Sequence, residues 1–340
     1  MIPLAGIECN SLGGANLFER IKLEAARRFA GIEARLKWSI PDRIGSFWFQ
    51  LATLEVEDRK WTGFGAGKSL RIAAVKACAE AVEMQSLSDS GQNLQSRSGS
   101  AASLGLKEAK IKALEELIER DAFLFHWLTE QPGGLVDAKI VRPLLASLGW
   151  SENCHLVELR SKCVEIKVAF AATPSLRDGC WHLGLGSAST IFAAAEKALT
   201  ECRASIYFHD IIGGCRPMDF GPKANLGANV LKEHHALTKD KKFAGLIHRI
   251  ASAPTALDRR LRELKRLDDL MLEAEFNELA SISHRLTVVH AKNRSLLPLV
   301  FGATFDSWSS SVSEYADVGA NLNKNRLFHP PDGYLRHPFD

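Results

Sequence analysis

Apolar residues recur with a helical period in three long stretches, and with strand-like spacing between them. Residues 69–87, 106–129 and 190–211 each keep apolar side chains on one face, which predicts three helices. Phe18, Ile21, Ala25, Phe29 and Ile32 share one side of a further amphipathic helix over residues 18–36. Residues 46–57 are rich in aromatic and aliphatic side chains and read as a strand, with Asp58-Arg59-Lys60 turning into a second short strand. Residues 155–172 read as two strands, and Trp181 to Leu185 as another. Ser88 to Ser103 is a loop by composition, and Pro132-Gly133-Gly134 ends the second long helix. From Lys223 to about residue 290 the pattern is helical and charged, with an apolar segment at Leu296 to Phe301. His329 to Asp340 is a proline-containing, extended tail. The expected class is α+β, in a single domain over 1–340.

The long helices belong to an internal repeat. With Glu80, Glu116 and Glu201 as reference positions, a lysine stands four residues before each, at Lys76, Lys112 and Lys197. Alanines stand three before (Ala77, Ala113, Ala198) and seven before (Ala73, Ala109, Ala194). A glycine stands seventeen before, at Gly63, Gly99 and Gly184. The near offsets share one helix face, and two alanines on it allow close approach to a neighbour. Each unit therefore reads as strand, glycine-rich turn, helix, and glutamate near the far end, around a mixed or antiparallel sheet. A further acid follows three residues later in units one and two, at Glu83 and Glu119, where unit three has Ala204. From spacing alone, ligand binding and a purely structural role for these glutamates weigh about equally.

Composition narrows the partners. The formal net charge of +3 and the lack of a long Lys/Arg run argue against nucleic acid. No stretch approaches the ~20 apolar residues of a membrane span, and Met1 to Cys9 carries no basic region of a signal peptide. The seven cysteines are widely spaced without a CxxC pair, as expected of reduced thiols in a cytoplasmic protein. His126, His209, His234 and His235 read as packed or solvent-facing, and Trp38, Trp48, Trp61 and Trp127 as core.

Convergence of the helix ends would crowd Glu80, Glu83, Glu116, Glu119 and Glu201 together, which is unfavourable unless cations offset the charge. Oxygen-only ligands suit Mg2+, which bridges phosphate oxygens, and Arg120 would reach a phosphate. The combination predicts a magnesium nucleotide site without a Walker motif. Gly67-Lys68-Ser69 opens a helix, but the first glycine of a P-loop falls on Thr62.

These residues resemble a known family. Ser98-Gly99-Ser100-Ala101-Ala102, Glu108-Ala109 and Glu116-Leu117-Ile118-Glu119-Arg120-Asp121 resemble the YcaO signature "SGxAAG…EA…ALxExIERDA". Asp42-Arg43-Ile44-Gly45 resembles its "DRIGIPV" start, and Gly184-Leu185-Gly186-Ser187 with Ala198-Leu199-Thr200-Glu201 its "GxGxH…ALTE" motif. His337-Pro338-Phe339-Asp340 resembles the "PHPFP" tail of azoline-forming members, and the layout resembles the microcin-type heterocyclase subunit. The resemblance implies ATP and Mg2+ as cofactors. They would be held by Glu80, Glu83, Glu116, Glu119 and Glu201, with Arg120 and Ser98 on the nucleotide and the Asp340 carboxylate in proton transfer. It implies cyclodehydration of a ribosomally made precursor peptide at Cys, Ser or Thr. It also implies a leader-binding partner protein, an FMN dehydrogenase in a complex, and a homodimer. Thioamide or amidine formation keeps the same fold. Lys76 and Met84 replace the family's Ser and Arg in the first motif, Ala204 and Ile206 its Gln and Arg in the third, and Ala66 the Lys of the GKG turn. These departures also admit a non-catalytic subunit that scaffolds a modification complex.

Overall fold

The computed structural model describes Arg20, Ile21 and Glu24, then residues 35–39, 41–91, 98–129, 131–150, 154–175, 179–207, 241–252 and 264–296. Most of the helix expected over 18–36, the segments 92–97 and 208–240, and the proline-containing tail with Asp340 lie outside the described residues.

Three antiparallel sheets carry the strands. Sheet A joins β1 (Leu36–Trp38), β2 (Asp42–Ile44), β3 (Phe47–Val56) and β4 (Arg59–Gly67). Sheet B orders β10 (Glu275–Leu279), β11 (Thr287–Lys292) and β5 (Ser100–Ser103) as β10-β11-β5. Sheet C runs β6 (Gly134–Leu135), β7 (His155–Leu159), β8 (Lys167–Pro174) and β9 (Trp181–Ala188) in order. The helices are α1 (Leu70–Asp89), α2 (Leu106–Thr129), α3 (Ala138–Ser147), α4 (Ile191–Ile206), α5 (Lys241–Ile250) and α6 (Leu267–Glu273). Ser69 and Thr190 cap α1 and α4, their side chains accepting from the Ile72 and Ala193 N–H groups.

Three apolar clusters show how the layers close on themselves. One joins Ala52 and Leu54 of sheet A, Ala77, Ala81 and Val82 of α1, and Val288 of sheet B. The next joins Val289 and Ala291 of sheet B, Leu114 and Leu117 of α2, and Val157, Val168 and Phe170 of sheet C. The third joins Ala169 and Ala171 of sheet C, Ala195 and Leu199 of α4, and Phe47, Phe49 and Ala66 of sheet A. Alternate residues of a strand face opposite sides, so each sheet is buried on both faces. Sheets and helices therefore alternate in a closed ring: A, α1, B, α2, C, α4, and A again.

Several expectations change. The glycines of units one and three are not in turns. Gly63 and Gly65 sit inside β4, and Gly184 and Gly186 inside β9, while Lys68-Ser69 and Ser189-Thr190 make the turns. Their role is close packing: a Cβ on Gly63 would stand 2.1 Å from the Ala77 carbonyl oxygen, and one on Gly184 2.1 Å from that of Ala198. The loop expected over 88–103 contains β5, and the turn after β3 is Glu57-Asp58, with Arg59 and Lys60 already in β4. Leu36 opens a strand and does not end a helix. Among its described residues the region expected as helical to about 290 holds two short helices and then the β10–β11 hairpin, with Val288, Val289 and Ala291 buried as a core strand. The expected mixed or antiparallel sheet is antiparallel and, among the described residues, divided into three, with an isolated parallel bridge between Cys163 and Lys265.

Candidate active site

The three reference glutamates are fixed by one device. Glu80 Oε2 accepts the Phe64 N–H at 2.8 Å, Glu116 Oε2 the Ser100 N–H at 3.1 Å, and Glu201 Oε2 the Leu185 N–H at 3.2 Å. In each case the donor lies sixteen residues upstream, one past the repeated glycine. The alanine face brings helix and strand close enough for a glutamate to reach strand backbone, which explains why Gly, Ala and Glu recur together.

The site is densest around unit two. Ser100 links two helices: its N–H serves Glu116 on α2, and its Oγ donates to Glu83 Oε1 on α1 at 2.5 Å. Arg120 lies between two acids, with Nε 3.8 Å from Glu116 Oε1 and Nη1 3.9 Å from Glu119 Oε1. Burial pushes the Glu116 carboxyl up to about 8; Arg120 opposes this, while Glu83 and Glu119 add to it. Burial also raises Glu201 to about 7, with Glu119 adding and Arg120 opposing. Both keep an opening to solvent, since the Glu116 side chain is 26% exposed and Glu201 is an exposed residue. A cation therefore has both a route in and a reason to bind.

The couplings bring together Glu83, Glu116, Glu119, Glu201 and Arg120. Glu80 is exposed and tied to its own strand. Ser98 is buried just before Gly99, whose φ of 84° and contact with Ala291 exclude a side chain. Asp340 lies outside the described residues. The expectation of five carboxylates in one ready-made cage changes: among the described residues no three acidic, imidazole or thiol groups already enclose a metal ion. That arrangement suits Mg2+, which commonly takes one or two carboxylates, several waters and the phosphates of its nucleotide.

A second ring of charge sits beside the acids. Burial holds the Lys76 ammonium below the usual lysine range, helped by Lys197 and Lys112, its equivalents in the other units; Glu201 opposes the shift. Lys197 Nζ donates to the Ser187 carbonyl at 2.5 Å, and Lys112 pairs with Glu108 at 2.8 Å. Lys76 lines a cavity of about 420 Å3 with Ser69, Arg71, Ile72 and Val75. Three like charges beside the acids favour an anion such as phosphate. Sequence reading found these lysines as a repeat but gave them no task. It did not single out the Ser100 hydroxyl, which donates to Glu83.

The comparisons with known proteins bear on this geometry. A family model described as "YcaO cyclodehydratase, ATP- and Mg2+-binding" matches residues 88–291. The chain belongs to the YcaO family. Its cofactors are those of the family, ATP and Mg2+. The YcaO fold is also that of YcaO from Methanopyrus kandleri bound with AMPPCP and Mg2+, with a TM-score of 0.59 at 15% identity, over 87% of this chain and 93% of that one. The E. coli microcin synthetase McbBCD complex gives 0.53 at 12% identity, over 77% and 88% of the two chains. A heterocyclase in complex with substrate and cofactor gives 0.54 at 14% identity, over 83% of this YcaO chain and 52% of the heterocyclase. No curated protein matches. Among the described residues no helix is long and apolar enough to cross a membrane.

Proposed function

We propose that this YcaO protein is an ATP-dependent cyclodehydratase that forms thiazoline or oxazoline rings from Cys, Ser or Thr in a ribosomally made precursor peptide. The observation that carries the reading is the coupled group of Glu83, Glu116, Glu119, Glu201 and Arg120 at the strand–helix contacts. When bound, ATP supplies the phosphoryl group that turns an amide oxygen into a leaving group. The nucleophile of the peptide adds to the preceding amide carbon, the oxygen leaves as phosphate, and the ring keeps the C=N bond. Per ring, one ATP becomes ADP and phosphate and the peptide loses the elements of water.

The chain's own residues position and neutralise. Glu80, Glu83, Glu116, Glu119 and Glu201 would hold Mg2+ and nucleotide, with Arg120 and Ser98 on the phosphates. Lys76, whose charge acts on Glu201, would offset phosphate charge in a motif where Met84 replaces the family's arginine. Asp340 would accept the proton of the nucleophile or of the amide nitrogen. The fold shared with a subunit of a microcin synthetase complex supports a leader-binding partner, with an FMN dehydrogenase and self-association as further elements of such an assembly.

Calorimetry with Mg2+ and AMPPCP tests the site. Wild type binds, and Glu116→Gln weakens binding at least about tenfold, the size of one lost metal ligand or its support. No binding by wild type, alone or with its partner, sinks the reading. Mass spectrometry of the peptide then separates the chemistries. Azoline formation removes one water per ring, thioamide formation exchanges oxygen for sulfur, and a scaffold subunit binds nucleotide without changing the peptide.

A further inference from the structure

His290 is buried to 2% exposure, and among the described residues neither ring nitrogen has a hydrogen-bond partner. It stands opposite Ser100 in the β11–β5 ladder. The Ala291 N–H donates to the Gly99 carbonyl at 2.7 Å, so the next pair, His290 and Ser100, is one without mutual backbone hydrogen bonds. That leaves the Ser100 N–H for Glu116. It also sets the two side chains close together on one face, their Cα atoms about 4.5 Å apart. The face is the one packed on α1, because Val288, two residues along, belongs to the α1 cluster and the Ser100 hydroxyl reaches Glu83.

The repeat shows that this polar pair is peculiar to unit two. The residue that anchors the glutamate is Phe64 in unit one and Leu185 in unit three, and their cross-strand partners are Leu51 and Phe170. Two units have an apolar pair there; only the unit beside Glu83 and Glu116 has serine opposite histidine. Burial keeps the imidazole neutral, so one nitrogen is an acceptor. The Ser98 carbonyl lies near enough to favour the proton on the ring, although short of hydrogen-bond geometry.

We propose that His290 is a positioning residue of the Mg2+–nucleotide site, the acceptor to which the Ser100 hydroxyl turns when a cation claims Glu83. Without ligand, Ser100 Oγ donates to Glu83. A bound cation draws on that same carboxylate and weakens it as an acceptor for the hydroxyl. The bare nitrogen across the ladder supplies another. The histidine is unsatisfied in the free protein because its partner arrives only on loading.

The inference rests on the proposed nucleotide site, and the test separates the two. Two variants are compared with wild type for melting temperature without ligand and for Mg2+–AMPPCP affinity. His290→Phe fills the space without polar atoms; it is expected to melt higher than wild type yet bind at least tenfold more weakly. His290→Gln retains an acceptor and is expected to bind within about threefold of wild type. A merely structural histidine would not give these opposite signs. In 15N-histidine NMR spectra, the His290 ring resonance shifts on adding Mg2+–AMPPCP, and Ser100→Ala, which keeps the backbone N–H, abolishes the shift. Binding by His290→Phe within twofold of wild type overturns the inference, as does a ring resonance that ignores the ligand; should His290→Phe not fold, the resonance decides. Absence of binding by wild type overturns the nucleotide site itself.

Discussion

Glu116 retains a proton near neutral pH for the same reason that it attracts a cation: protein surrounds it on most sides and other acids stand close by. Its folded value of about 8 lies above the ordinary glutamate value of 4.5. The folded state therefore binds more protons than the unfolded chain between those limits. The contribution of this group to stability is fully present below about pH 4.5 and is lost as pH rises to about 8. Glu116→Gln removes that loss. In magnesium-free buffer at pH 8 the variant is expected to be more stable than wild type by on the order of 1 kcal/mol, a gap that closes by pH 5, as denaturant titrations at the two pH values would measure. Cation binding obeys the same linkage. Mg2+–nucleotide affinity should climb between pH 6 and pH 8 and release protons, which calorimetry in buffers of different ionisation enthalpy would register; a flat profile would contradict the raised carboxyls. The identity of these residues was legible from the repeat, since glutamate recurs at a fixed offset from Gly, Ala and Lys. What was not legible is their inequality. Glu80 is exposed while Glu116 is only partly so, and the repeat, which gives both the same offsets, carries no sign of the difference.

At the scale of elements, the strand–helix contact is the unit that recurs three times in the chain. Gly63→Ala would force a methyl to 2.1 Å from a backbone oxygen of α1, and Gly184→Ala would do the same at α4. Each is expected to cost about 2 kcal/mol or more and to weaken nucleotide binding by displacing the Glu80 or Glu201 anchor; thermal unfolding and calorimetry on one sample would show both. The control is Gly91→Ala, where a Cβ meets nothing within 4 Å and only the φ of 66° resists it. Sequence reading found these glycines and took them for turns, because a glycine inside a strand has the same local signature as one before a helix. The β10–β11 hairpin was missed for a different reason. Glu275–Leu279 is an edge strand with largely exposed side chains, and Thr287–Lys292 is buried on both faces, so neither alternates as a half-buried strand should.

For the whole molecule, closure of the ring depends on sheet B. Its only strand near the first two helices in sequence is β5, four residues long; β10 and β11 arrive more than 170 residues later. Val288, Val289 and Ala291 then fill the gap between α1 and α2 at 1% exposure or less. Burial of each valine contributes about 1.5–3 kcal/mol, comparable in sum to the net stability of many domains. A chain ended at residue 263 should lack a cooperative melting transition and fail to bind Mg2+–AMPPCP, even though every acid in the described site is retained. The order of synthesis gives this topology a further meaning. Ser100 and Glu116 leave the ribosome more than 170 residues before the strand that holds Ser100 in place, β11 at Thr287–Lys292. A nascent chain therefore carries its acids in an unassembled state until β11 has been made, and the site assembles only then.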